Sequence, residues 1–360
     1  TADEFLGDAG LTELGAYRVS LKQALELASK YNRNYQTNKE LVYLDALELT
    51  LARFQFAPIF SSRASGVDRG AVSEIKNGVD TVTETDHSVG LTGSLGFNQL
   101  FHGGTRLAAN FTTDFLRFIT GDQSVTTSSL FAASLTQPLL RGGGYRVTME
   151  NLTQAERNVL YSLRNFVRFR QEFTVQVASA YYRVLLNREF ARNAFLGLKN
   201  FRRNAEEERE LAREGRRSLS QLGQLQQAEL SAESQWIDAV RNYKQSLDDF
   251  KVRHLGMSAG TSLVFDMSEV EGLSILHPEL ELQDAIHISF ASRLDLFTER
   301  DRVIDAARRV KVRSNGLLPD LDLVLSGGLD SDLNEPLSFN FDRSQWSAGI
   351  DLELPFNRRS

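Results

Sequence analysis

Residues 19–61 return 261 positions later, and that recurrence constrains everything else about the chain. The offset superposes Ala24 on Ala285, Asn34 on Asp295, Val42 on Val303, Ala46 on Ala307 and Pro58 on Pro319. In both copies a stretch of helical period runs up to a proline, and strand-like alternation begins beyond it. Ser20 with Gln23 reads as a capping box, and Leu21, Ala24, Leu25 and Ala28 make the first apolar stripe. The 360 residues therefore read as about one and a half copies of a helix–strands–helical-hairpin unit rather than as unrelated globular domains.

Between 59 and 140 the period changes from 3.6 to 2. Leu91, Leu95, Phe97, Leu107, Phe111 and Phe115 fall on one parity around the turn "HGGT". Ser94, Asn98, Asn110 and Thr112 fall on the other. The run 126–139 repeats the split, with Phe131 and Leu135 opposed to Ser128 and Ser134. Beyond Pro319 it recurs, with Leu321, Leu323 and Leu325 against Asp320, Asp322 and Ser326. Trp346, Ile350 and Leu352 likewise alternate with Ser347, Asp351 and Glu353. These are strands with one apolar and one small polar face.

From Val147 to about Arg213 there is no proline, and only Gly197 interrupts the helical pattern. Some 66 residues at 1.5 Å rise predict a helix roughly 100 Å long. Leu152, Val159, Phe166, Phe173 and Ala180 recur every seven residues, with Leu163, Val177, Val184, Ala191 and Leu198 as the companion row. That is a heptad seam and implies a left-handed supercoil. Gly215 is the expected helix stop. A second helix carries Leu222, Leu225, Ala232, Trp236, Ala239, Tyr243 and Phe250, so 147–255 reads as an antiparallel helical hairpin.

Candidate chemistry is sparse. The absence of cysteine excludes disulfides, zinc–thiolate sites and a cysteine nucleophile. His87, His102, His254, His277 and His287 lack ligand spacing, so no metal site is expected. "GLTGSLG" and "RGGGYR" lack both the Lys-Ser/Thr ending and the βαβ setting of a phosphate loop. No G-x-S-x-G motif is present, and no catalytic residue or cofactor is expected. The net charge of −6 and the interleaved signs of "NFRRNAEEERELAREGRR" argue against nucleic-acid binding and for a solvated helix face.

No window reaches 18 consecutive apolar residues, which excludes a transmembrane helix and leaves a β-barrel open. Alternation by itself also fits a soluble half-buried sheet. Here the helices carry their own seams, so nothing remains to cover the apolar strand face. A closed barrel is the β form that survives in lipid without unpaired edges. One chain has too few strands to close it, so several chains must share it. On this reading Pro138 ends the ladder, and Gly142, Gly143 and Gly144 turn the chain from strand into helix, with Pro355 at the matching point of the second copy. The opening "TADEFLGDAG" has no basic-then-apolar leader, as expected for a chain that is not exported or has had its signal removed.

The chain resembles the TolC-like outer-membrane efflux protein family. The resemblance runs through "SLKQALELASKYNRNY", the strand start at Pro58, "SLTQPLLRGG" and "LAREGRRSLSQLGQLQQAEL", and spans nearly the whole chain from Ser20. It implies a mixed α and transmembrane β fold: a homotrimer with one shared outer-membrane β-barrel and a long coiled-coil α-helical barrel through the periplasm. It also implies a periplasmic adaptor and an inner-membrane pump as partners, with outer-membrane lipid around the strands. Leu91, Leu95, Phe97, Leu107, Phe111 and Phe115 would then face lipid. Arg213, Gly215, Arg216, Arg217 and Ser218 would form the adaptor-docking tip, the alternative being a mere helix–helix turn. The first repeat departs from the family pattern by offering three or four strands around "FHGGT" where the family has two.

The expected organisation is an N-terminal extension (1–19), a leading helix (20–57), membrane strands (58–140), a periplasmic hairpin (141–255) and an equatorial connector (256–278). A second leading helix (279–318), strands (319–356) and the start of a second hairpin (357–360) follow. One hairpin would leave its seams facing a gap, so repeat logic predicts a natural chain about 100–140 residues longer, with any pore-gating side chains in that part. The expected function is a passive exit duct of a tripartite efflux or type I secretion system, not an enzyme. The alternative is a non-transporting trimeric envelope scaffold.

Overall fold

The computed structural model describes residues 2–6, 16–77, 80–118, 125–216, 218–266, 268–271 and 279–354. In chain order the elements are α1 (Ala2–Leu6), β1 (Tyr17–Val19), α2 (Leu21–Tyr31), α3 (Arg33–Phe54), β2 (Ile59–Asn77), β3 (Asp80–Leu100), β4 (Arg106–Phe118) and β5 (Val125–Pro138). Then come α4 (Tyr145–Thr148), α5 (Glu150–Arg213), α6 (Leu219–Asp249), a π-helical turn (Phe250–Leu255), β6 (Leu263–Phe265) and α7 (Ser268–Glu271). The second repeat supplies α8 (Leu282–Ser292), α9 (Leu294–Asn315), β7 (Asp320–Asp332), β8 (Glu335–Phe339) and β9 (Gln345–Glu353). Two compact units result: residues 1–44 with 162–296, and 45–161 with 297–360.

The first unit is helical. The heptad seam of α5 is buried at Phe173, Val177, Val184, Ala191 and Leu198, whereas Leu163 stays 48 % exposed. Tyr181 is fully buried, sets its ring edge-on to Phe265 at 4.7 Å, and donates its hydroxyl to the Val19 carbonyl at 3.2 Å. A three-residue parallel ladder of β1 with β6 closes this core, from Tyr17 opposite Leu263 to Val19 opposite Phe265. The N-terminal residues Phe5 and Leu6 are part of the same cluster.

Sequence periodicity predicts a single helix from 20 to 57, but the structure breaks it at Asn32, whose backbone is extended at φ −67°, ψ 121°. The Asn32 side chain explains the break. Its amide donates to the Arg253 and His254 carbonyls at 2.8 and 3.0 Å, and its oxygen accepts from the Tyr35 N–H at 3.1 Å. A side chain that caps the following helix competes with continued helix at its own position. The second repeat breaks at Arg293, 261 residues later, and again has helices of 11 and 22 residues on either side.

The second unit holds an antiparallel sheet in the order β2-β3-β4-β5-β7-β9, with the short β8 pairing β7 beyond a register shift. The first repeat thus supplies four strands. One ladder line runs Ile59, Asn98, Ala108, Ser134, Ser326, Ser347 across all six strands. Among the described residues the outer edges of β2 and β9 have no strand partner.

Candidate functional site: a two-faced sheet, a strand-to-helix turn and a hairpin tip

Directly opposed residues of an antiparallel ladder share a face. Leu91 stands opposite Phe115, Leu95 opposite Phe111, and Gln99 opposite Leu107, while Phe97 shares their parity opposite Ala109. The six apolar residues singled out by parity therefore lie on one face. The same face continues through Phe60, Phe131, Leu135, Leu325, Trp346 and Ile350. It is largely bare: Leu95 is 59 % exposed and Trp346 81 %. Phe111 has an edge-on ring neighbour in Phe339 of β8 at 6.2 Å. Ser94, Asn98, Asn110 and Thr112 sit on the opposite face. There a cavity of about 560 Å³ is lined by Ser61, Asn98, Asn110, Ser134, Ser326 and Ser347 among others.

At the base of the sheet, Pro138 is the last residue of β5, opposite Asp322. The chain then reverses within Leu139–Gly144. Gly142 and Gly144 take φ of 75° and 92°, in the left-handed region that favours glycine. A Cβ on Gly143 would lie 2.5 Å from the Pro138 carbonyl oxygen, too close for any side chain. Asn315 clamps the turn, accepting from the Gly142 N–H at 2.8 Å and donating to the Leu140 carbonyl at 3.0 Å. Arg141 pairs with Asp320. Helix α5 starts from this fixed point. Pro355 lies outside the described residues.

At the hairpin tip, Gly215 has φ 75°. Its N–H donates to the Ala212 carbonyl at 3.0 Å, and the Arg216 N–H donates to the Leu211 carbonyl at 2.9 Å. That is a Schellman stop. Ser218 then caps α6 and forms a reciprocal box with Gln221 at 3.2–3.3 Å. The Ser-x-x-Gln spacing carried this signal, so Ser218 has a structural job whatever docks there. Arg213 and Arg216 project to solvent, each near a carboxylate of its own tip, Glu210 at 2.7 Å and Glu214 at 3.5 Å. Arg217 lies outside the described residues.

Sequence reasoning missed one charged cluster. Asp305 of α9 is completely buried. It accepts the Tyr161 hydroxyl at 2.6 Å and an Arg308 N–H at 2.9 Å. Arg308 also reaches Glu150 at 2.6 Å and Gln154 at 2.9 Å, and Arg157 pairs with Asp301 at 3.0 Å. Burial alone would raise the Asp305 pKa, but the Tyr161 hydroxyl and Arg308 outweigh it and hold the carboxyl below the usual aspartate value. Burial, then the bond to Asp305, pushes the Tyr161 phenol up. The repeat offers the overlooked signal: positions 305 and 308 correspond to Leu44 and Leu47 in the first copy.

No family model and no curated protein matches this sequence. Solved structures do. CusC matches with a TM-score of 0.60 and 16 % identity, over 96 % of this chain and 68 % of its own. VceC, an outer membrane protein of Vibrio cholerae, matches at 0.57 and 13 %, over 94 % and 68 %. The CmeC outer membrane channel of Campylobacter jejuni matches at 0.53 and 16 %, over 94 % and 62 %. The chain spans about two thirds of the length of these structures. At such identities the shared property is the backbone path: long helices joined to a curled antiparallel half-barrel, the fold of TolC-like outer-membrane channels.

Proposed function

We propose that this chain is the outer-membrane exit duct of an export complex, a passive conduit without catalytic chemistry. The observation that carries the reading is the face split, kept in register across six strands, with the apolar side exposed. Such a surface is costly in water and native in lipid. In this reading 58–140 and 319–356 are membrane strands contributed to a barrel shared by a homotrimer. Residues 141–255 are the periplasmic hairpin, 256–278 the equatorial connector, and 20–57 and 279–318 the leading helices. Leu91, Leu95, Phe97, Leu107, Phe111 and Phe115 face lipid, and the Ser and Asn face is the wet lumen. The complex is a tripartite efflux or type I secretion assembly. Separation of native membranes tests this: the protein fractionates with outer membrane as a trimer and, purified, conducts ions across planar bilayers. A membrane-bound trimer without conductance is a scaffold, and a soluble protein ends both readings.

Docking of a periplasmic adaptor follows from the same reading, at Arg213, Gly215, Arg216, Arg217 and Ser218. Gly215→Val forces a β-branched residue into the left-handed region and costs about 1 kcal/mol or more at the tip. Arg216→Glu reverses the charge offered to the partner. Each change is expected to lower export and photo-cross-linking from position 216 to adaptor in cells. Unchanged export and cross-linking would reduce the tip to a turn.

A further inference from the structure

We infer that the two free edges of the sheet are a matched pair, β9 of one copy zipping onto β2 of the next with Asp351 opposite Arg63. The inference rests on the duct reading and adds how copies join and how wide the barrel is. Strand direction permits it. Six alternating strands leave β2 and β9 antiparallel, so a head-to-tail ring stays antiparallel throughout.

Face parity permits it too. Ser61, Arg63 and Ser65 lie on the polar face, opposite Gly96, Ser94 and Thr92. Ser347, Asp351 and Glu353 lie on the same face, opposite Ser326, Asp322 and Asp320. Pairing odd with odd residues keeps both faces continuous across the seam.

Charge selects the partner. The β7–β9 ladder sets Asp322 against Asp351 and Asp320 against Glu353, like charges directly opposed, which destabilises a sheet. Arg141 answers Asp320, but Asp322 Oδ1 is buried with no hydrogen-bond partner among the described residues. β2 meanwhile presents Arg63 and Arg69, both exposed and without an ion pair among the described residues. One edge lacks cations and the other offers them.

Geometry fixes the register. Continuing the ladder line through Ile59 and Ser347 without offset would set the end of β9 against residues 53–57, where α3 ends. With Asp351 opposite Arg63, Ser347 meets Val67 and all nine residues of β9 find partners within β2. That is an offset of eight residues per copy, about 26 Å along the strands against about 29 Å across six of them. The implied tilt is about 42°, inside the 35–45° of membrane barrels. Three copies then close 18 strands with a backbone diameter of about 37 Å, whereas two would close 12 at about 25 Å.

Paired cysteines introduced into the protein test this, because these 360 residues contain no cysteine to interfere. The pair Ser65→Cys with Gly349→Cys lies on the inferred register, and Ser61→Cys with Ser347→Cys lies six residues off it. Oxidation in outer membranes is expected to convert the first pair to covalent trimers and to leave the second monomeric. Asp351→Arg and Arg63→Asp should each lower trimer yield about tenfold, and the double exchange should restore it. A general folding defect would not be rescued. Cross-linking of the off-register pair, covalent dimers at saturation, or no cross-link in a protein that still conducts would overturn the seam and leave the duct reading standing. Absence from the outer membrane would remove the duct reading, and the seam with it.

Discussion

Replacing Asp305 by Asn is expected to destabilise the sheet-bearing unit by about 3–5 kcal/mol, the usual cost of removing one partner from a buried ionic group. Asn keeps the shape and can still accept from Tyr161. It leaves Arg308 short of one of its two carboxylates, and no water replaces it at a side chain with no exposed surface. The pH dependence identifies the cause. A carboxyl with a lowered folded-state pKa contributes stability above the ordinary aspartate value of 3.8, and that contribution is lost as pH falls through the lower folded value. The gap between wild type and Asp305→Asn in urea unfolding should be constant from about pH 5 to 7 and should close in stronger acid. A gap that persists unchanged at low pH would place the damage in packing rather than charge.

Leu95→Arg is expected to cost about 2–4 kcal/mol if this position lies near mid-bilayer. Leu95 has Ser62 and Phe111 as its cross-strand neighbours and is more than half exposed, so an arginine there meets no carboxylate directly across either ladder. Ser94→Arg, one residue away, points to the polar side between Thr112 and Arg63. The like charge opposite it costs about 1 kcal/mol or less, well short of the Leu95→Arg loss, while conduction is altered. The heat needed to unfold the membrane-inserted protein in detergent gels measures both. Equal losses for the two variants would mean that the faces are not distinct environments.

How legible the molecule was depends on the range of the forces involved. Strand parity is local, and the Leu95 and Ser94 faces came directly from alternation. The helical hairpin was equally readable, because Val177, Val184, Ala191 and Leu198 advance by heptads and are buried. The break at Asn32 was not readable, because it depends on carbonyls of Arg253 and His254 more than 220 residues away. The β1–β6 ladder is three residues long, too short for any periodicity. Ser218 is a different case: its capping signal, Ser-x-x-Gln, is local and stands in the sequence itself. The Asp305 cluster replaces two leucines of the first repeat, and only a comparison of the two copies exposes it.

The most direct test of the membrane-wall reading is cysteine accessibility in intact outer membranes. Single cysteines at 91, 94, 95, 97, 98, 110, 111 and 112 are treated with a membrane-impermeant thiol reagent. The expected pattern alternates: Ser94, Asn98, Asn110 and Thr112 positions label from the lumen, while Leu91, Leu95, Phe97 and Phe111 positions stay protected until detergent is added. Uniform labelling of both parities without detergent would contradict a sheet with one face in lipid and one in water.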